Sequence, residues 1–325
     1  MAHRPVRFRE VAFAAVLAAA PISALAEVGY PSRPIKIIIP LAPGGGANAV
    51  PRIIAEKLSS RWGHPIIIEN RPGAALNIGA EAVAKAAPNG YTLLSTPPGP
   101  LVTNQALYPK LGYDPTAFVP ITVLAKFPFV LVVRSNLPVS NLDEFITYAK
   151  VNPDKLTFGS SGLGSPPHLV AEMLKAKAGI RFSHAQYRGL SPALNDVVAG
   201  HIDMMFHDLG STLPLIQDGK LKVIGIGSQT RIPELSGVST FSELYPGFLA
   251  TSWYGMVAPP NTRSEIATKL SQAIAEALRA PDVWKTLQDF AMAPGGTTPA
   301  ETAAFLKEET ARWGEVIAAA GIKLE

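Results

Sequence analysis

The sequence contains no cysteine and has little unbalanced charge. The missing cysteines exclude disulfides, thiolate metal sites and cysteine nucleophiles. Long apolar runs are also missing after Glu27, so no segment beyond that residue is predicted to span a membrane. These absences favour a water-soluble chain whose chemistry depends on amides, hydroxyls, carboxylates and imidazoles.

The charge balance argues against nucleic acid as a partner. The chain has 29 Lys and Arg against 25 Asp and Glu. Residues 1–26 hold three Arg and one Glu, so the remainder has 26 basic and 24 acidic residues, a net charge of +2. Nucleic-acid binding usually needs a clustered basic face, which this composition does not indicate.

The first 26 residues are predicted to be a cleaved signal peptide. Arg4, Arg7 and Arg9 precede an apolar run, and Ala24-Leu25-Ala26 is the small-x-small pattern that signal peptidase accepts. A buried helix or a membrane anchor is the alternative, but Pro21 interrupts the run well before about 20 apolar residues. We therefore expect cleavage after Ala26 and a periplasmic protein.

Short apolar runs alternate with helical segments, as in 35–40, 65–69 and 91–95, which predicts parallel βαβ units. The run Val119–Val133 contains Pro128, which predicts two strands that meet at a hinge near Phe127 and Pro128. The α/β pattern then restarts, and Thr251–Ala258 is predicted to cross back. Two α/β lobes joined by two extended crossings would form a hinged clamp with its ligand in the cleft.

The loop Pro43-Gly44-Gly45-Gly46 lies between a predicted buried strand and a helix. Its glycines allow close backbone approach, and the free N–H groups of the following helix suit an anion. An ordinary tight turn explains the loop equally well. No Lys-Ser or Lys-Thr follows, and G-x-G-x-x-G is absent, so neither a phosphate loop nor a dinucleotide cofactor is predicted.

A second loop, Gly159–Ser165, carries two adjacent hydroxyls and precedes the helix that contains His168. It forms either another anion-binding nest or a hydroxyl-rich helix cap. A secreted hydrolase would use Ser161 with His168 or His207, but the nucleophile elbow G-x-S-x-G is absent.

Met205-Phe206-His207-Asp208 ends another predicted strand. Because adjacent residues of an extended segment point to opposite sides, His207 and Asp208 are predicted to be poor partners for each other. The His pairs among 168, 184, 201 and 207 show no recognised ligand spacing, so no metal site is predicted.

The sequence resembles the Bug family, the extracytoplasmic solute receptors of tripartite tricarboxylate transporters. The resemblance extends in order over the whole chain after the signal peptide. It is carried by Tyr30-Pro31-Ser32-Arg33-Pro34-Ile35, Ala42-Pro43-Gly44-Gly45, Glu69-Asn70-Arg71-Pro72-Gly73-Ala74, Asn77-Ile78-Gly79-Ala80, Ala87-Pro88-Asn89-Gly90-Tyr91-Thr92, Gly159-Ser160-Ser161-Gly162, Tyr187-Arg188-Gly189, Ala199-Gly200-His201-Ile202-Asp203 and Ala319-Ala320-Gly321-Ile322-Lys323.

The resemblance implies an α/β, two-lobed type II periplasmic-binding-protein fold with two crossover strands and a hinged ligand cleft. Its lobes would be 27–127 plus 248–325, and 128–247. The implied ligand is a small organic acid held through loop amides, hydroxyls and water. The ligand-binding positions carried onto this sequence are Ala42, Pro43, Gly44, Gly45, Gly46, Ala47, Asn48, Thr96, Ser160, Ser161, Ser165, His168, Phe206, His207 and Asp208.

Several positions depart from the family pattern. Ala47 and Asn48 stand where the family usually has a hydroxyl residue and Asp, and His207-Asp208 replaces Asp-Asn. The cleft loops are also rich in proline, at 97–98 and 166–167. Together with Phe127 and Phe129, these changes suggest a less polar acid, such as an aromatic one.

The predicted function is capture of a di- or tricarboxylate, or of an aromatic acid, for uptake by the transporter's membrane components. The receptor is expected to be a monomer without enzymatic activity. The alternatives are a ligand sensor that presents its closed form to a signalling partner and, third, the secreted hydrolase.

Overall fold

The structure is a computed structural model that describes residues 29–322. Residues 31–322 form one unit, and 29–30 belong to the segment before it. The predicted signal peptide, 1–26, lies outside the described residues.

Ten strands and eleven α-helices are the main elements of the residues that the structure describes. The strands are β1 (Ile35–Ile39), β2 (Ile66–Asn70), β3 (Thr92–Thr96), β4 (Val119–Arg134), β5 (Thr157–Ser160), β6 (Ser183–Gln186), β7 (Met204–Asp208), β8 (Leu221–Ile226), β9 (Thr251–Ala258) and β10 (Ala293–Pro294). The helices are α1 (Gly46–Trp62), α2 (Asn77–Ala84), α3 (Asn104–Leu107), α4 (Leu142–Val151), α5 (Pro166–Ala178), α6 (Leu190–Ala199), α7 (Leu209–Gln217), α8 (Phe241–Leu244), α9 (Ser264–Leu278), α10 (Pro281–Asp289) and α11 (Pro299–Ala320).

The strands form two sheet regions that share β4. The first sheet has the order β2-β1-β3-β9-β4, with β1 parallel to β2 and β3, and with β10 paired to β4. The second sheet has the order β4-β7-β5-β6, with β5 parallel to β6 and β7, and with β8 paired to β4. The mixture of parallel βαβ units in each sheet agrees with the predicted α/β alternation.

The prediction of a break at Pro128 was wrong, because β4 is one continuous strand of 16 residues. Residues 119–128 pair with β9, and β4 pairs with β7 from Phe129 onward. Pro128 therefore lies where the strand changes partners, a position at which its missing N–H interrupts no continuous ladder. The sequence indicated where the change occurs, near Pro128, but not that one continuous strand exchanges its partner there.

The shared strand brings the carboxyl ends of the two sets of parallel strands towards each other. Thr96, at the end of β3, is level with Gly255 and thus with Val123 of β4. Asp208, at the end of β7, is level with Phe129. Six residues of strand separate these levels, about 20 Å at 3.3 Å per residue. The loops that follow the strands occupy this interval.

A buried carboxylate ties α11 to the first sheet. Glu309, 7% exposed, accepts hydrogen bonds from the indoles of Trp253 (2.7 Å) and Trp313 (3.1 Å). Arg312 donates to the same carboxylate at 2.8 and 2.9 Å, which balances its charge. Both oxygens of this buried carboxylate therefore have hydrogen-bond donors, which offsets the cost of burying it.

Candidate functional site

The first loop, residues 40–45, follows β1 and leads into α1. Gly44 and Gly45 have φ values of 121° and 65°, a region that favours glycine, and Ala42 to Gly45 are exposed. Gly45 is the N-cap of α1, which has no side-chain cap and no acidic residue in its first turn. No side chain of the loop therefore occupies or neutralises the positive N-terminus of α1, which suits an anion.

Asn48 holds this loop in place from below. Its amide nitrogen donates to the carbonyls of Ala42 (3.0 Å) and Gly44 (2.9 Å), and its oxygen accepts from Asn70 at 2.6 Å. Asn70 also donates to Leu41 O at 2.8 Å. Asn48 is buried, and both ends of its amide are used, so it shapes the loop and has no group left for a ligand. The contact between Asn48 and Asn70 was not predicted from the sequence.

Two further helix ends approach the first loop from the second sheet. A Cβ on Gly44 would lie 3.9 Å from Ser191 Oγ, in the first turn of α6, and one on Gly45 would lie 4.0 Å from Ser211 Oγ, in α7. Helix α6 has Gly189 as its N-cap and, like α1, has neither a side-chain cap nor an acidic residue in its first turn. Sequence reasoning missed Ser191 and Ser211, although both follow predicted strands at a helix start.

The second loop, 160–165, follows β5, and its hydroxyls are largely committed to the loop itself. Ser160 is fully buried, donates to Gly162 O at 3.0 Å and accepts from Gly162 N at 3.1 Å. Ser165 donates to the same carbonyl at 2.7 Å. The partly exposed Ser161 remains the hydroxyl of this loop best placed to meet a ligand.

Two stacked imidazoles lie beneath the second loop. The rings of His168 and His184 are 4.4 Å apart, with an interplanar angle of 20°. His184 Nε2 lies 2.7 Å from Ser160 Oγ, and His168 Nδ1 accepts from Gly164 N at 3.0 Å. Burial, together with the neighbouring His184, lowers the pKa of His168 to about 4. His168 is therefore neutral at pH 7 and contacts the loop from its buried side.

The prediction that His207 and Asp208 point apart was wrong. Asp208 is the N-cap of α7, and its carboxylate turns back to accept from Ser211 N at 2.9 Å and from Ser211 Oγ at 3.1 Å. His207 Nδ1 lies 2.9 Å from Asp208 Oδ2, and both side chains are buried. The alternation of side chains holds only within the strand, and the strand ends at this pair.

Burial by itself would raise the pKa of Asp208. The facing His207 and the hydrogen bonds from Ser211 outweigh this effect, so the pKa lies below its usual value. The charged Asp208 neutralises the N-terminus of α7, in contrast to the ends of α1 and α6.

Tyr254, on β9, is a site residue that the sequence analysis did not identify. Its phenol lies near Gly46 and faces the backbone amide of Ala47, and its ring is 4.9 Å from that of Phe127. Burial, and then the charge of Asp208, raises its pKa well above the usual value. A neutral phenol thus lies between the first loop and the start of α7.

Two predicted ligand residues lie in the protein interior. Phe206 is fully buried, with its ring 5.9 Å from Phe158 and 5.6 Å from Phe241. Thr96 is buried and donates to Pro97 O at 3.0 Å. Their side chains support the site from below.

The geometry does not assemble the predicted hydrolase pairs. His168 Nδ1 is used by Gly164, and His207 by Asp208. The serine that meets an imidazole is Ser160, which is inaccessible to a substrate. Within residues 29–322, no three His, Asp or Glu side chains are arranged to hold a metal ion.

Two surface grooves lie elsewhere on the molecule. One, of about 370 Å³, is lined by Arg279 and Trp284, and the other, of about 440 Å³, by Arg33 and Lys36. Neither contains a predicted ligand residue.

Loops that face each other from two α/β sheets, across a shared strand, define the class of periplasmic binding proteins. The match to the family model for the tripartite tricarboxylate transporter family receptor covers residues 50–322. BugT of Bordetella pertussis is 34% identical over 310 residues, which cover 94% of each chain.

Two solved structures from Rhodopseudomonas palustris are similar over nearly their whole length. Rpa4515 with adipate has a TM-score of 0.86 at 34% identity and covers 90% of this chain and 99% of its own. MatC with bound malate has a TM-score of 0.81 at 32% identity and covers 89% of this chain and 100% of its own.

The chain belongs to the tripartite tricarboxylate transporter receptor family, whose members are periplasmic solute-binding proteins, and the predicted family and fold class are confirmed. None of the helices between residues 29 and 322 has the length and hydropathy needed to cross a membrane.

Proposed function

We propose that this receptor captures a small organic carboxylate between its two facing loops and delivers it to the membrane components of a tripartite transporter. The main support is the approach of two uncapped helix ends, α1 and α6, at Gly44 and Ser191. Each such end carries about half a positive charge, which favours a carboxylate. The adipate and malate bound by the two related structures are small acids of this class.

We propose that backbone amides make the direct contacts. Neither the 42–48 loop nor the 159–165 loop contains a basic side chain. The acid would be bound by N–H groups of residues 44–46, by Ser161 and by the first turn of α6. Asn48, Thr96, Ser160 and His168 would hold the loops in shape.

We propose that the lobes comprise 27–127 with 248–325, and 128–247, and that the cleft closes by bending between them. In support, β4 enters the second sheet at Phe129, and the chain rejoins the first sheet at Thr251. Aromatic rings at Phe127 and Tyr254 line this crossing, which favours an acid with an apolar or aromatic body.

A thermal-shift panel tests the proposal. Malate, adipate, citrate, benzoate and nicotinamide would each be added to the protein lacking residues 1–26 at pH 7.5. At an acid concentration of 100 times Kd, binding stabilises the fold by about 2.7 kcal/mol, which raises Tm by roughly 4–8 °C. An acid should produce this shift. Stabilisation by nicotinamide alone would refute the carboxylate assignment.

A further inference from the structure

The polar groups beneath the second loop form one continuous chain. It runs from Ser160 Oγ to His184 (2.7 Å), across the stacked ring of His168 (4.4 Å), and to Glu172, whose Oε1 is 3.7 Å from His168 Nε2. Lys175 pairs with Glu172 at 2.8 Å. The chain contacts the loop at two points: at Gly164 N directly, and at Gly162 through Ser160.

These contacts define where the imidazole protons lie. Since His168 Nδ1 accepts from Gly164 N–H, its proton is on Nε2, towards Glu172. The Ser160 hydroxyl donates to Gly162 O, so its oxygen accepts from His184 Nε2–H. Because burial lowers the pKa of both imidazoles, each ring is neutral at pH 7.5 and carries its proton on Nε2.

We propose that His168 and His184 act together as positioning residues for ligand binding: the neutral pair holds the 160–165 loop in its ligand-binding form, and protonation of the pair releases it. This inference rests on the proposed function, because it assumes that the loop contacts the acid. His168, assigned from the family pattern to ligand contact, would act through Gly164.

A proton added to His168 Nδ1 would face the Gly164 N–H, so the hydrogen bond at that point would be replaced by two opposed donors. The charged groups that act on His168 are His184 on β6 and Glu172 and Lys175 on its own helix. His184 and Lys175 oppose protonation, and Glu172 favours it. Burial is the largest effect and lowers the pKa of both imidazoles; for His184 the charge of Lys175 comes next.

The direction of the pH effect follows from linkage. A histidine whose pKa is lower in the folded form than in the unfolded form stabilises the fold above its unfolded pKa of 6.5, and the contribution is lost as pH falls towards about 4. The loop should therefore be held firmly at pH 7.5 and be released as pH falls through about 4.

The test compares His168→Asn with His168→Leu. Asn offers an oxygen in place of Nδ1 and does not titrate, whereas Leu offers no acceptor. The exposed His201, changed to Asn, is the matched control for loss of an imidazole. Circular dichroism at pH 7.5 would verify that all three variants are folded.

The first measurement needs no ligand. We expect the amide NMR signal of Gly164 to move between pH 7 and pH 4 in the wild type and in His201→Asn, but not in His168→Asn. A Gly164 signal that stays fixed in the wild type, or that moves equally in His168→Asn, would overturn the proposal.

The second measurement is calorimetric titration with adipate at pH 7.5 and pH 4.0. His168→Asn should bind within about 3-fold of wild type at pH 7.5, and its affinity relative to wild type should rise about 2-fold between pH 7.5 and pH 4.0, where about half of the wild-type His168 is protonated. His168→Leu should bind at least 10-fold more weakly at pH 7.5. Protonation of adipate is the same for every variant, so these ratios report on the protein.

Equal affinities in all variants at both pH values would overturn the positioning role. If the wild type does not bind adipate, the choice of acid is wrong, and the amide titration decides the proposal.

Discussion

The contact between α7 and the segment after α10 gives a prediction that needs no ligand. Gly210 is the second residue of α7 and has no positive φ, so alanine fits its backbone conformation. A Cβ at this position would lie 2.6 Å from Phe290 Cα and would also overlap the phenyl ring. Rotation of a side chain cannot relieve a clash with a backbone atom, so one of the two segments must move.

Two opposing effects determine how much Gly210→Ala changes the free energy of unfolding. Overpacking costs about 1–3 kcal/mol, and contact with a backbone atom belongs at the upper end of that range. Replacing a helical glycine by alanine gains about 1 kcal/mol. Gly210→Ala should therefore lower the free energy of unfolding by about 1–2 kcal/mol, roughly 2–6 °C in Tm.

Gly314→Ala is the matched control. Gly314 also lies within a helix, α11, and a Cβ there would have no heavy atom within 4 Å. This variant should gain about 0.5–1 kcal/mol. Urea denaturation of both variants, followed by circular dichroism, measures the difference. If Gly210→Ala is as stable as Gly314→Ala, the packing of α7 against Phe290 described here is wrong.

Three further substitutions test separate parts of the structure. Asn48→Ala removes two hydrogen bonds to carbonyls of the first loop, so the affinity for the acid, measured by calorimetry, should fall about 10-fold. Unchanged affinity would show that Asn48 does not hold the loop in its binding form. Both indoles donate to Glu309 Oε2, so Glu309→Gln can keep these bonds only by turning its NH2 group towards Arg312 Nε, and it removes the charge that balances Arg312; urea denaturation should show a loss of about 2–4 kcal/mol. A loss below about 0.5 kcal/mol would contradict this account. Tyr254→Phe should weaken acid binding about 3–10-fold with little change in Tm, because only one hydroxyl is removed; equal affinity would place the phenol outside the site.

The strand-and-helix order was predictable because apolar runs and glycine punctuation are local signals. The run before Gly44 became β1, and the glycines mark the start of α1. The family pattern then pointed to the loops after β1, β3, β5 and β7. These features depend on short segments of sequence, which is why they could be predicted.

The two wrong predictions concern places where a strand changes its partner or ends, so rules that apply within a regular strand no longer hold. At Pro128 the sequence indicates a disrupted ladder but cannot show that β4 exchanges one partner strand for another. At His207 and Asp208 the alternation of an extended chain gives way to a helix cap, which turns the carboxylate back towards its neighbour.

The supporting contacts could not be predicted because they join residues that are distant in sequence. Asn48 meets Asn70 across 22 positions, and Ser160 meets His184 across 24. Tyr254 reaches the first loop from β9. No spacing rule links such pairs before the fold is known.

The central claim is that a carboxylate is bound by the facing helix ends. Its most direct test is calorimetric titration, at pH 7.5 and low salt, of the acid with the largest thermal shift and of the primary amide of the same acid. We expect the acid to bind with a Kd of about 1 μM or lower, which is at least 8.2 kcal/mol. The amide should bind at least 100-fold more weakly. Equal affinity for acid and amide would contradict the account.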